Sequence, residues 1–220
     1  MKISICMSLK NRSKVLNRDQ ELPIFPNTMD SISALSRVKD LEVVIVDFKS
    51  DDTVLKDWIY DLKVDVTLIE LDEDFSRGRG LNLAAENSKY EILFFTDADI
   101  MLDNTVVPRI EEVINDKKIW FPSVKFMSEN GKTCDYMKHP GNGLAAIAKK
   151  KFEDSVKWPE FYSWGGEDHI FYWSFSSRRI VREEFPGLVH QFHPNATKWA
   201  HYKKPVQSCY KEYMAKKRKK

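Results

Sequence analysis

The segment Tyr90-Glu91-Ile92-Leu93-Phe94-Phe95-Thr96-Asp97-Ala98-Asp99-Ile100 restricts the fold more than any other part of the chain. Its apolar run is continuous rather than alternating, the pattern of a strand buried on both faces of a parallel sheet. It ends in two carboxylates one residue apart, where such a strand leaves the core. In open α/β sheets, ligands bind at the carboxyl ends of the strands. If the segment stays extended, Asp97 and Asp99 project to the same side and converge on one target. Two like charges that close require a counter-charge, and a divalent cation is the usual one; the alternative is a plain polar loop after the strand.

The surrounding sequence repeats the strand–helix alternation. Strand-type runs are expected at residues 3–7, 41–47, 64–71 and 91–96. Between them lie three segments with helical spacing. One starts at Asn27-Thr28-Met29-Asp30 and runs through Ile32, Leu35 and Val38. A second is capped by Ser50-Asp51-Asp52 and runs through Val54, Leu55, Trp58, Ile59 and Leu62. A third opens at Ser76 and runs through Leu81 and Ala85. The pattern predicts an α/β fold with a mainly parallel central sheet flanked by helices. The first strand is not followed by Gly-x-Gly-x-x-Gly, which disfavours a dinucleotide-binding fold. A helix near 105–114, a strand at 119–121, a small-residue strand over 141–147 and an aromatic-rich stretch over 158–173 follow. The sequence shows no repeat, so it reads as one domain over residues 1–210. Residues 104–210 would complete a site begun by residues 1–103, with 211–220 as a basic tail.

A chain of 220 residues can bury one substantial core. Its net charge of +2 argues against nucleic acid as a partner. The positive charge gathers in Lys216-Lys217-Arg218-Lys219-Lys220, a solvated tail or a peripheral contact with anionic lipid. Three cysteines without paired metal spacing, and no secretory pattern, point to a reduced, cytoplasmic setting. In that setting Asn195-Ala196-Thr197 is a chance sequon.

Three further clusters carry chemistry. In Phe161-Tyr162-Ser163-Trp164-Gly165-Gly166-Glu167-Asp168-His169 the paired glycines permit a sharp turn, and two acids stand at the start of a helical pattern. The alternative is plain N-capping by Asp168 with Trp164 in the core. In Leu188-Val189-His190-Gln191-Phe192-His193-Pro194 two imidazoles three residues apart can reach a shared ion. Phe75-Ser76-Arg77-Gly78-Arg79-Gly80-Leu81-Asn82 is a basic, glycine-broken helix start suited to a phosphorylated ligand, or an ordinary solvated one.

In this order the motifs resemble those of the GT-A glycosyltransferases, over most of the chain. Ser4 to Arg12 is similar to their opening strand and nucleotide loop, and Val44-Ile45-Val46-Asp47 to the second strand with its base-contacting acid. Trp164-Gly165-Gly166-Glu167-Asp168 resembles the acceptor motif of the inverting β-1,4-galactosyltransferase and chondroitin-polymerase-like branch. The second strand departs from the usual Asp-Asp-Gly-Ser ending, reading Asp47-Phe48-Lys49-Ser50.

The resemblance implies a UDP-sugar donor, a saccharide acceptor and a Mn²⁺ or Mg²⁺ cofactor. Asp99, His190 and His193 would hold the metal, and Asp97 would bridge the ribose or a metal-bound water. Ser8, Asn11, Arg12, Asp47, Arg79 and Asn82 would hold the nucleotide. Asp168 would be the general base, with Glu167, Gly166 and Trp164 receiving the acceptor. A carbohydrate-binding module without catalysis and a sugar-phosphate nucleotidyltransferase are the competing readings. The second lacks the glycine-rich loop it needs after the first strand.

Overall fold

The structure, a computed structural model, describes residues 1–136, 142–162 and 165–194. Trp164, the sequon at Asn195 and the basic tail lie outside the described residues. The strands are β1 Ile3–Leu9, β2 Val15–Asn17, β3 Gln20–Leu22, β4 Leu41–Asp47, β5 Asp65–Glu70, β6 Ile92–Phe95, β7 Ile100–Leu102, β8 Ile119–Met127, β9 Thr133–Tyr136, β10 Ala145–Ala148 and β11 Ile180–His190. The helices are α1 Ile24–Ser33, α2 Arg77–Glu86, α3 Val106–Asn115, α4 Lys149–Glu153 and α5 Glu167–Trp173.

Among the described residues one sheet runs β5-β4-β1-β6-β10-β8-β11-β7, with β9 beside β8, and β2 and β3 form a separate hairpin. The β5-β4-β1-β6 half is parallel throughout. Beyond it β10 is antiparallel to β6, and β11 is parallel to β8. The apolar runs are continuous because successive side chains serve two cores. Val43 and Ile45 face α1 and α3, through Phe25, Met29, Val106 and Ile110. Val44 and Val46 face Leu81 and Ala84 of α2, with Phe95, Phe152, Trp158 and Phe171. Burial on both faces removes the alternation that a one-sided strand would show.

Two helix expectations are corrected. The first helix begins at Ile24, after Pro23, and ends at Ser33; Val38 falls in a separate 3₁₀ turn that leads into β4. The segment over 54–62 forms two 3₁₀ turns, Leu55–Asp57 and Ile59–Asp61, instead of one helix. Its expected caps are engaged elsewhere. Asp52 Oδ2 accepts the amides of Ser13 and Lys14 at 2.7 and 3.0 Å. Ser50 bonds Asp47 and receives the Asn11 amide. A cap that satisfies other backbone donors leaves the helix start unsupported. Ser76 does cap α2, accepting from the Arg79 amide.

Candidate active site

The chain turns at Ala98 and Asp99 instead of staying extended, and the Ile100 amide closes on the Asp97 carbonyl. The two acids therefore diverge, each to its own counter-charge, which corrects the expectation that they converge on one target. Asp97 receives Arg77 Nε at 2.7 Å. Asp99 faces the histidines. The register of β7 against β11 pairs Ile100 with His190, placing that imidazole beside the preceding acid.

His193 Nε2 lies 3.2 Å from Asp99 Oδ2, and His190 Nε2 lies 3.7 Å from the same oxygen. Phe126 stacks on the His190 ring at 4.6 Å. His193 Nδ1 lies 3.3 Å from the Pro194 carbonyl. A proton on Nδ1 turns the Nε2 lone pair toward a carboxylate, and a cation between them resolves that contact. Asp99 Oδ1 is buried without a hydrogen-bond partner among the described residues. Burial works against ionisation of Asp99, but His190, His193 and Arg12 outweigh it and hold the carboxyl below the usual carboxylate range. One ligand atom from each of the three residues falls within 4.8 Å of the others. Ligands about 2.0–2.2 Å from one ion stand roughly 3.0–3.6 Å apart, so the set fits a divalent cation with little adjustment.

At the start of α5, Gly165 and Gly166 take φ of +85° and +94°, and Gly166 occupies the N-cap in the left-handed region. That conformation requires glycine and swings Glu167 and Asp168 inward. Glu167 is buried, with Oε2 unpartnered among the described residues. Burial, only partly offset by Arg77, pushes its pKa up to about 7. Asp168 accepts the Asn142 amide at 3.0 Å, and the His169 amide and Nδ1 at 2.8 and 2.9 Å. Burial opposes its charge, but His169 and the Asn142 amide prevail, so Asp168 stays ionised. Gly166, and not Asp168, is the N-cap residue.

Arg77, part of the basic helix start expected to suit a phosphorylated ligand, joins Glu167 to Asp97. Its Nη2 donates to the Gly143 carbonyl at 2.6 Å, Nη1 lies 3.8 Å from Glu167 Oε1, and the guanidinium sits 5.1 Å from the Trp158 ring centre. The available signal was its place one residue after the helix cap. Arg79, expected at the nucleotide, lies 3.7 Å from Glu73. Asn82, also expected there, commits its amide to the Trp158 backbone at 2.9 and 3.1 Å and to Glu160. It fastens the segment that underlies Arg77.

The remaining residues expected to hold the nucleotide line one end of the parallel strands. Asn11 is left-handed at φ +49° and accepts the Asp51 amide at 2.9 Å. Ser50 links it to Asp47, whose pKa burial raises. Arg12 Nη1 and Ser8 Oγ are buried without hydrogen-bond partners among the described residues.

The architecture is that of the GT-A glycosyltransferases. The chain belongs to glycosyl transferase family 2, whose sequence model matches residues 4–179. It is 29% identical over 154 residues to mouse chondroitin sulfate N-acetylgalactosaminyltransferase 2, covering 58% of this chain and 28% of that protein. It is 27% identical over 158 residues to human chondroitin sulfate synthase 3, covering 60% and 17%. The match thus spans under a third of either relative's length. Among solved structures, S. aureus TarS 1-349 in complex with UDP-GlcNAc superposes with a TM-score of 0.74 at 16% identity, covering 97% of this chain and 64% of that one. The mannosyltransferase PcManGT from Pyrobaculum calidifontis, in complex with GDP-Man and Mn²⁺, gives 0.66 at 17% identity, covering 90% and 58%.

Proposed function

We propose that this domain moves a hexose or N-acetylhexosamine from a UDP-sugar to a hydroxyl of a saccharide acceptor, with inversion, in the manner of the chondroitin-polymerase-like branch. The observation that carries the reading is the cluster of Asp99, His190 and His193, together with Arg77 joining Asp97 to Glu167.

Asp99, His190 and His193 would hold the divalent cation, Mn²⁺ by preference because the set mixes imidazole with carboxylate. A bound ion there would supply neutralising charge to the departing diphosphate. Arg12 adds its guanidinium to the same charge. Asp168 accepts the proton at its carboxylate as the acceptor hydroxyl attacks and becomes acidic. A base on the acceptor side sets in-line attack, and hence inversion of the anomeric centre. Glu167, close to half-protonated at neutral pH, orients the incoming hydroxyl.

The test is calorimetry of the protein with a panel of UDP-sugars, with and without Mn²⁺, followed by detection of free UDP when saccharides are added. Metal-dependent donor binding that Asp99→Ala abolishes is expected. Saccharide binding indifferent to both metal and nucleotide would overturn the reading.

A further inference from the structure

Gln191 lies between the two histidines, past the end of β11, and is 3% exposed. Its amide orientation is forced. The Ile24 carbonyl can only accept, so Nε2 must face it, at 2.8 Å. The same nitrogen lies 3.0 Å from Thr28 Oγ1, and Oε1 accepts from Asn27 Nδ2 at 3.0 Å. Thr28 Oγ1 in turn donates to the Ala98 carbonyl at 2.9 Å, and the Gln191 amide N–H reaches the Asp99 carbonyl at 2.9 Å.

These bonds close a ring through α1, the Ala98–Asp99 turn and the histidine segment. Both Nε2 hydrogens and the Oε1 acceptor are engaged, so the side chain is locked in one rotamer. Past His190 the chain has left the sheet, and strand pairing no longer fixes the distance from His193 to Asp99. The ring takes over that task.

We propose that Gln191 is the positioning residue of the cation site, clamping His190, His193 and Asp99 to α1 at the spacing an ion requires. The inference rests on reading those three side chains as ligands. Supporting groups around metal ligands typically alter affinity about 10–100-fold when removed.

The experiment is a Mn²⁺ titration followed by electron paramagnetic resonance, at a temperature where circular dichroism shows every variant folded. Gln191→Met keeps the side-chain length and loses the amide; it should weaken Mn²⁺ binding about tenfold or more, and pulsed spectra should show fewer coordinated histidine nitrogens. Thr28→Val cuts the same ring from α1 and should act in the same direction, with the double variant no worse than Gln191→Met alone. It carries the test if Gln191→Met does not fold. Ser88→Ala removes a buried hydroxyl bonded to the Ala84 carbonyl, away from the ring, and should lower stability while leaving Mn²⁺ affinity intact. Wild-type affinity in Gln191→Met or Thr28→Val overturns the proposal and leaves the ligand reading standing. An equal loss in Ser88→Ala overturns it too, by making the effect generic. Wild-type Mn²⁺ binding that survives Asp99→Ala removes the ligand reading, and this inference with it.

Discussion

Arg77 Nε stands 2.7 Å from Asp97 Oδ1 while the other arm of its guanidinium stands 3.8 Å from Glu167 Oε1, so one buried cation holds an acid from each side of the site. Neither acid has a closer cationic partner among the described residues. A planar guanidinium can span them where a lysine ammonium cannot. Removing one member of a buried ion pair leaves the other's charge uncompensated. Arg77→Ala is therefore expected to cost about 3 kcal/mol in a denaturant unfolding curve, and Arg77→Lys to recover only part of it. Equal stability of Arg77→Ala and wild type would remove Arg77 from this role.

On the proposed mechanism Asp168 bears the proton-transfer step. Asp168→Asn keeps the size of the side chain and an oxygen able to accept the Asn142 amide. The variant should bind donor as wild type does and lose about 10²–10⁴-fold in kcat. Steady-state kinetics beside donor calorimetry separates the two effects, and near-normal turnover would move the base elsewhere.

Glu167 imposes a pH dependence on stability. Its carboxyl titrates near 4.5 when unfolded and about 7 when folded. Between those values the folded state holds a proton that the unfolded state has released, so stability falls as pH rises through the window. The slope approaches about 1.4 kcal/mol for each pH unit crossed. Glu167→Gln should flatten the profile between pH 4.5 and 7 in urea unfolding. An unchanged profile would show that Glu167 ionises normally.

Gly78 is a packing requirement. A Cβ there would lie 2.1 Å from the Pro159 carbonyl oxygen, a backbone atom with little room to yield. Gly78→Ala should destabilise by about 1–3 kcal/mol and loosen the Trp158 platform beneath Arg77, measured by unfolding and by tryptophan fluorescence.

How much of this was legible in the sequence depended on how locally each feature is determined. The run over 41–47 became β4 with the same bounds, because a strand buried on both faces is apolar at nearly every position. The helix from Ser76 was readable because its cap bonds its own first turn. The helix expected over 54–62 was not, because Ser50 and Asp52 serve β1-side amides that are distant in sequence. Residue type and spacing suggested that His190 and His193 share an ion, and the family resemblance added Asp99 to them; the structure brings the three together. The divergence of Asp97 was hidden, since it depends on a turn and on Arg77, and neither has a periodic signature. Arg79 and Arg77 are equally basic in the sequence; only the rotation of α2 decides which one enters the cleft.

The strand register that sets His190 against Ile100 has a bearing on synthesis. Among the described residues four strands and three helices separate Asp99 from β11, so Asp99 is made before its two imidazole neighbours. A nascent chain halted before β11 carries Asp99 without either imidazole. The candidate cation cluster therefore cannot form until β11 has been made.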